Sequence, residues 1–451
     1  MVLARPGVGQ VSGGRPQPWR LRWALPAAAA GCALSLAAWI AVVSGHYLLT
    51  WFDLAVYNHG GLLARSSPQR LYSWQLRPGI KFTYPPIAAL IFAVTSLVPW
   101  AVLKWLVVVA SLAALAASIW MTLGALGRTG RTRVAATLGF TAVALWAEPV
   151  LHGLGLGQIE LLLMALIIWD LCQPDRRWWK GAGIGLAAGL KLTPLIFIPY
   201  LLLTGKVRQA AAVSAAFAGT VAIGFAFLPG ASDKWWLTGY FLQAGKVGDP
   251  ASLANQSLFA LIARAEHTVR HSTPTYLAVG AVVVVVGLAA AAVLHRRGRP
   301  VAGWVTCALT GLLFSPVSWD HHWVWIVPAG ILLADAAQRA SGAARWALAA
   351  AAAGVAVVFG DWPSQVTGPL AFVPRGLLGF FPGRIGDHEK YHLHGLQVIG
   401  WNLYVIAGLL MLAAAVAWAA RAAPGRAQQV NHPEGGRPDD AARGAPKAQQ
   451  A

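Results

Sequence analysis

Residues 181–200 read GAGIGLAAGLKLTPLIFIPY, an apolar stretch interrupted near its middle by Lys191 and Pro194. A helix needs about 20 apolar residues to cross a bilayer, so the stretch is long enough for one crossing. The break around Gly189, Lys191 and Pro194 also allows two short ones. Residues 85–100 leave a similar choice, between a full span and a helix that dips in and returns. Together the two choices decide on which side of a membrane the loops between 100 and 190 fall.

Working outward, apolar runs at 24–44, 102–126, 134–150, 158–172, 210–229, 275–294, 301–315, 323–338, 345–360 and 396–420 read as spans. Of the 451 residues, 57% are hydrophobic and 11% charged, more apolar surface than a soluble domain buries, so the surplus faces lipid. The expected class is an all-α polytopic membrane protein with about twelve crossings. The net charge of +19 sits mostly in short loops. That is the pattern of cytoplasmic anchoring rather than of nucleic-acid binding.

Charge also separates the two topologies. If 85–100 does not cross and 181–204 crosses twice, then Arg128, Arg131, Arg133, Arg176, Arg177 and Lys180 join Lys206, Arg208, residues 295–299, Arg339 and Arg345 on the cytoplasmic side. The alternative puts the first six outside, and the first topology is preferred. Residues 1–20 and 422–451, rich in Gly, Pro, Gln, Ala and charge, are expected to be disordered cytoplasmic tails around a single transmembrane unit at 21–421. The first run lacks a small-residue cleavage site and reads as a retained signal anchor. Cys32, Cys172 and Cys307 lie in or beside apolar runs and read as packing residues, with neither a disulfide framework nor a zinc site.

The preferred topology collects the polar residues that anchoring does not explain on the outer face. Asp53, in LTWFDLAVYNHG, reads either as a helix cap or as an interfacial carboxylate fit to act as a general base. Lys191 needs an anionic partner if it is not snorkelling, and a lipid phosphate suits it. Asp320, His321 and His322 stand among Trp319, Trp323 and Trp325. The tryptophans fit an interfacial belt; the imidazoles fit hydrogen bonding to phosphate or sugar, and a metal site is disfavoured because no further ligand at helical spacing completes it. Asn255 and Gln256 offer amides suited to sugar hydroxyls or to helix capping, and Gln158 and Glu160 open the span after the GLGLG turn. With no Walker motif, no dinucleotide fingerprint and no DxD pair in a soluble domain, a donor presented by the membrane is expected.

In order, FDLAVY (52–57), TYPP (83–86), GLGQIELLLMAL (155–166), GLKLTP (189–194), NQSL (255–258) and SPVSWDHHWVW (315–325) resemble the actinobacterial polyprenol-phosphate-mannose-dependent α-(1→2)-mannosyltransferases of glycosyltransferase family 87, in the GT-C superfamily. The resemblance implies a GT-C fold with interfacial or re-entrant helices in the first outer loop, an active site on the outer side of the plasma membrane and both termini cytoplasmic. It implies a polyprenyl-phosphate sugar donor and a glycolipid acceptor such as a phosphatidylinositol mannoside or lipoglycan. Because the leaving group is a lipid phosphate monoester, a divalent metal is not obligatory, and no metal or other cofactor is expected. Asp53 falls on the catalytic base. Lys191 and His322 fall near the donor phosphate, with His321, Asn255 and Gln256 in support, and Tyr57, Tyr84, Gln158, Trp319 and Asp320 complete the candidate substrate contacts. The implied reaction is an inverting transfer in which Lys191 and an imidazolium stabilise the leaving phosphate.

One residue departs from the family pattern: Glu160 stands where a neutral Asn is usual. The last outer loop, with Asp387, His388, His392 and His394, is variable in the family and is expected to bear on acceptor choice. A decaprenyl-phosphate-arabinose-dependent arabinofuranosyltransferase, a lipid-linked-sugar flippase and an inactive scaffold remain as rivals.

Overall fold

A computed structural model describes residues 18–46, 49–77, 79–243, 248–270, 272–365, 372–380 and 389–421. The expected tails fall on 1–17 and 422–451, outside the described residues, and so do Asp387 and His388 of the last loop; residues 18–20 belong to the first helix. The chain runs through α1 (Pro18–His46), α2 (Phe52–Ser66), the hairpin of β1 (Gln75–Arg77) and β2 (Ile80–Lys81), α3 (Pro86–Thr95), α4 (Trp100–Ala125) and α5 (Gly130–Ala144). It continues with α6 (Glu148–Leu156), α7 (Glu160–Leu171), α8 (Ala182–Leu190), α9 (Phe197–Leu203), α10 (Val207–Phe227), α11 (Pro229–Ser232) and α12 (Leu258–Ala265). Then come α13 (Ser272–Arg296), α14 (Pro300–Phe314), α15 (Ile326–Arg339), α16 (Gly342–Phe359), the hairpin of β3 (Asp361–Gln365) and β4 (Phe372–Gly376), α17 (Leu396–Trp401) and α18 (Leu403–Arg421). Among the described residues, two short antiparallel hairpins depart from the all-helical pattern.

Among the described residues, six helices are long and apolar enough to cross a bilayer: Ala24–Val43 within α1, then α4, α10, α13, α16 and α18. α6 and α7 form a pair bent by 117° at Gly157 and Gln158. The expected span at 134–150 is corrected. α5 ends at Ala144 and α6 starts a new helix at Glu148, because Pro149 fits a first helical turn, where its missing N–H is not needed, better than an interior. The span at 396–420 likewise breaks at Asn402.

Both open choices resolve into breaks. The stretch 85–100 is the ten-residue α3, a turn, and then α4 beginning after Pro99. The stretch 181–200 splits where Lys191 takes an extended backbone (φ −148°, ψ 129°), because Pro194 has no N–H to offer the carbonyl four residues back. α8 stops at Leu190, and a 3₁₀ turn, Thr193–Ile196, leads into α9.

The basic loops meet at one end of the bundle. Arg128 and Arg339 both bond Asp335, at 2.8 and 2.7 Å, and Arg339 also donates to the Leu126 carbonyl. Lys180 and Lys206 share Asp175, Arg296 reaches the Leu203 carbonyl and Arg297 that of Ala419. Arg133 and Lys180 are both within electrostatic reach of Cys172, which joins the two groups.

α7 brackets α8 with an acid at each end. At one end the buried Asp170 carboxylate accepts the N–H groups of Gly181 and Ile184 at 2.8 and 2.9 Å, satisfying donors that a helix start leaves orphaned. At the other, Glu160 meets Lys191 just past the last turn. Along its length α8 lies against α10 through a glycine stripe. A methyl group at Gly181, Gly185 or Gly189 would fall 2.3–2.4 Å from Gln209 O, Val213 O or Thr220 Oγ1. Close backbone approach through small residues is how helices associate when lipid supplies no hydrophobic drive. Gly185→Ala is expected to destabilise the fold by about 1–3 kcal/mol and to lower the thermal midpoint in detergent. Gly219→Ala on α10, where a methyl meets open space, should leave that midpoint unchanged.

Candidate active site

At the end of the bundle away from the basic loops lies a cavity of about 630 Å³, within the range that small-molecule sites occupy. Its polar lining comes from Asp53 on α2, His152 on α6, Gln158 at the bend, Lys191 after α8, and His321 and His322 in the 3₁₀ turn Asp320–Trp325. Its apolar lining includes Ile80, Trp235, Phe241, Leu242, Val317 and Trp319. The lining thus matches an amphiphile rather than a free sugar.

Asp53 is the second residue of α2. The cap position is Trp51, held in left-handed backbone, so the carboxylate is not a helix cap. It accepts instead from Gln158 Nε2 at 2.8 Å. The orientation of that amide is dictated by Tyr57, whose hydroxyl donates to Gln158 Oε1 at 2.6 Å and lies 2.6 Å from the hydroxyl of Tyr84. With Oε1 turned to the tyrosines, the NH₂ must face Asp53. Enclosure by protein raises the Asp53 pKa above its usual value, against the pull of His321, the Gln158 hydrogen bond, Lys191 and His152.

Lys191, Glu160 and His322 form one contact group. The ammonium bonds Glu160 and lies 2.9 Å from His322 Nε2, which is 3.5 Å from Glu160 Oε1. The anionic partner that Lys191 required is therefore supplied within the chain. Burial, Lys191 and His321 push the His322 pKa far below its usual value, so the ring is neutral and its Nε2 accepts from the ammonium. This corrects the expected imidazolium as far as His322 is concerned. The group separates the large cavity from a smaller one of about 40 Å³ lined by Thr193, Pro194, Gly311 and Leu312, among others.

Asp320 sits between two imidazoles, with His152 Nδ1 at 2.9 Å from Oδ2 and His321 Nδ1 at 3.1 Å from Oδ1. Burial opposes its ionisation, but His152 and His321 outweigh it and hold the carboxylate well below the usual range. His321 Nε2 is buried without a partner. His152 was not singled out from sequence. Its one signal is that it opens the HGLGLGQ turn, six residues before Gln158.

With His152 in place, the reason given against a metal, the lack of a further ligand, no longer holds. Two donor sets each bring three ligand atoms within 4.8 Å of one another: His152, Asp320 and His321, and Glu160, His321 and His322. In the second, the Lys191 ammonium already bridges Glu160 and His322. In the first, the imidazoles hydrogen-bond the carboxylate itself.

Asn255 and Gln256 do not line the cavity, which corrects their expected role as sugar contacts. Both are fully buried. The Asn255 amide donates to the Pro250 and Pro316 carbonyls and accepts from Ser318 N. Gln256 donates to Leu253 O and Trp401 O and accepts from Tyr404 N. Their hydrogen bonds staple the loop before α12 to the α14–α15 turn and to α17, which holds the wall carrying Trp319 and His321. A further residue unnoticed in the sequence is Lys81 of β2, which lines the cavity beside Ile80.

The model of glycosyltransferase family 87 matches residues 82–316, more than half of the chain. The chain belongs to this family. It is a glycosyltransferase, and the matched interval carries Tyr84, Gln158, Glu160 and Lys191, while Asp53 and residues 319–322 flank it. A relative from Mycobacterium tuberculosis, 36% identical over 65% of this chain and 68% of its own length, is described as a polyprenol-phosphate-mannose-dependent alpha-(1-2)-phosphatidylinositol pentamannoside mannosyltransferase. A Mycolicibacterium smegmatis relative with the same description is 31% identical over 61% of this chain and 67% of its own. A second M. tuberculosis relative, a phosphatidylinositol mannoside mannosyltransferase with the same donor dependence, is 29% identical over 71% and 77%. No solved structure matches this glycosyltransferase significantly.

Because the Gln158 hydrogen bond favours the ionised form of Asp53, Gln158→Leu should raise the pH at which this carboxyl loses its proton. The protonated-carboxyl band in infrared difference spectra, assigned against Asp53→Asn, is expected to persist to higher pH. A band that titrates as in the unaltered protein would remove Gln158 from this role.

Proposed function

We propose that this glycosyltransferase moves mannose from polyprenyl-phosphate mannose to a phosphatidylinositol mannoside or a related envelope lipoglycan, forming an α-1,2 linkage with inversion. The observation that carries the reading is one amphiphile-sized cavity holding both a carboxylate of raised pKa, Asp53, and an ammonium, Lys191. Asp53 removes the proton from the acceptor 2-hydroxyl, and the freed oxygen attacks the anomeric carbon. The bond from that carbon to the phosphate oxygen breaks, its electron pair leaves on polyprenyl phosphate, and the proton stays on Asp53. Lys191 faces the phosphate, where charge grows as the bond breaks. Tyr57, Tyr84 and Gln158 aim the base, Asp320 orients His321 towards the reacting groups, and Trp319 with its apolar neighbours receives the prenyl chain. The ammonium meets the leaving group's need for positive charge, so the reading requires no metal. Lys81 offers a second cation, which suits an acceptor that itself carries a phosphodiester.

The chain crosses the membrane about twelve times in a GT-C arrangement, with α8 and α9 as two short crossings. The basic loops and both termini are cytoplasmic. The cavity opens to the outer face of the plasma membrane, where a membrane-borne donor reaches it without a soluble nucleotide sugar.

Two experiments test this. Membranes containing the protein, given radiolabelled polyprenyl-phosphate mannose and phosphatidylinositol mannosides, are expected to form an α-1,2-linked product. Asp53→Asn should lower turnover by about 10²–10⁴-fold while donor binding is kept. Normal turnover by that variant removes Asp53 as base, and a product formed only from decaprenyl-phosphate arabinose replaces the sugar. In a background without the native cysteines, Gln69→Cys in the first loop should react with an impermeant maleimide on intact cells. Arg131→Cys should react only after permeabilisation, and labelling of position 131 from outside overturns the orientation.

A further inference from the structure

Glu160 is buried beside the ammonium assigned to the donor phosphate, and its effect on that phosphate depends on charge. Lys191 has three N–H donors; one is directed at Glu160 and one at His322, leaving the third for a ligand. His322 is neutral, so the charges of Lys191 and Glu160 cancel and the group as a whole carries none. Tyr57 on α2 and Tyr84 before α3 also face Glu160, and neither adds positive charge. Lys81, His152 and His321 line the large cavity, whereas Glu160 lines the smaller one behind Lys191 and His322; His321 comes within 4.8 Å of the Glu160 carboxylate without bonding it.

The two phosphates this pocket meets in one reaction cycle differ in charge. The donor is a phosphodiester with one negative charge. The product is a monoester whose second ionisation falls near pH 6, so at neutral pH it carries close to two. Lys191 alone would hold the product more tightly than the substrate, because attraction grows with ligand charge. A buried carboxylate on the same ammonium offsets that preference, since repulsion between like charges also grows with the ligand's charge.

We propose that Glu160 cancels the phosphate pocket's preference for charge, so that the doubly charged lipid phosphate left after sugar transfer is held no more tightly than the singly charged phosphodiester donor and can depart. The inference rests on the reading of Lys191 as the donor-phosphate contact. A purely structural Glu160, which only fixes Lys191 at the end of α8, has the opposite signature: its loss weakens both ligands together.

The test uses the full chain in detergent, with farnesyl monophosphate and its methyl diester as probes, titrated by calorimetry at pH 7.5. The unaltered protein is expected to bind the two with similar affinity. Glu160→Gln, which keeps a hydrogen-bond acceptor and removes the charge, should tighten the monophosphate about ten-fold and the diester about three-fold. Glu160→Asp should keep the original ratio. Unchanged or equally weakened binding of both probes by Glu160→Gln overturns the proposal and leaves Glu160 as a clamp. If that variant does not fold, the unaltered protein decides: monophosphate bound more than about ten-fold tighter than diester overturns the proposal, and comparable affinities support it. If neither probe binds the unaltered protein, the donor-phosphate reading of Lys191 fails, and this inference with it.

Discussion

An ammonium at the meeting point of two short helices has to be answered by a carboxylate, and the pairing of Lys191 with Glu160 is the contact on which the site depends. Removing one member of a buried ion pair costs about 3–5 kcal/mol because the other is left uncompensated. That cost constrains α7 and α8 jointly. Glu160 opens α7 and Asp170 lies near its end, so the same helix holds the end of α8 through Lys191 and its beginning through the N–H groups of Gly181 and Ile184. The glycine stripe then fixes α8 against α10. Lys191 thus stands on a half-length helix clamped along three sides, and its position is set by packing rather than by the reach of its own side chain.

A second chain of constraint runs to Asp53. Two phenol hydroxyls orient one amide, the amide faces one carboxylate, and the carboxylate is kept out of bulk water. The residues come from α2, the segment before α3 and the α6–α7 bend, elements far apart in sequence. The bend is a requirement, because a sharp turn at Gly157, with φ +73°, brings Gln158 beside Tyr57 while setting Glu160, the first residue of α7, against Lys191. Glycine is suited there: the left-handed backbone disfavours a side chain, and a methyl would also fall 2.6 Å from Leu54 Cβ.

Lipid and polar chemistry are kept apart by the same architecture. The basic loops tie the helix ends together at one end, with acids such as Asp175 and Asp335 shared between them. At the opposite end the carboxylates face imidazoles and an ammonium instead. The buried amides of Asn255 and Gln256 hold this second end closed without entering the cavity.

What the sequence determined by itself was the class of the molecule, the family, the break at Lys191 and the polar residues worth attention. Each of these rests on local quantities: apolar run length, loop charge, the missing N–H of Pro194 and short motifs. Tertiary structure decided which of those residues share a cavity. Gln158 and Asn255 are both amides in loops beside helices, and nothing local distinguishes them; one faces Asp53, whereas the other has its hydrogen bonds consumed by backbone. His152 and Lys81 were invisible for the converse reason, since their importance comes from neighbours brought together by folding. The helix boundaries after Ala144 and at Asn402 did carry local signals, Glu148 with Pro149 and Asn402 itself, which a reading by apolar run length passed over. The partner of Lys191 was within sight as a conspicuous acid at 160, but only the fold put the carboxylate against the ammonium. A charge is visible in a sequence; its compensation is a matter of distance.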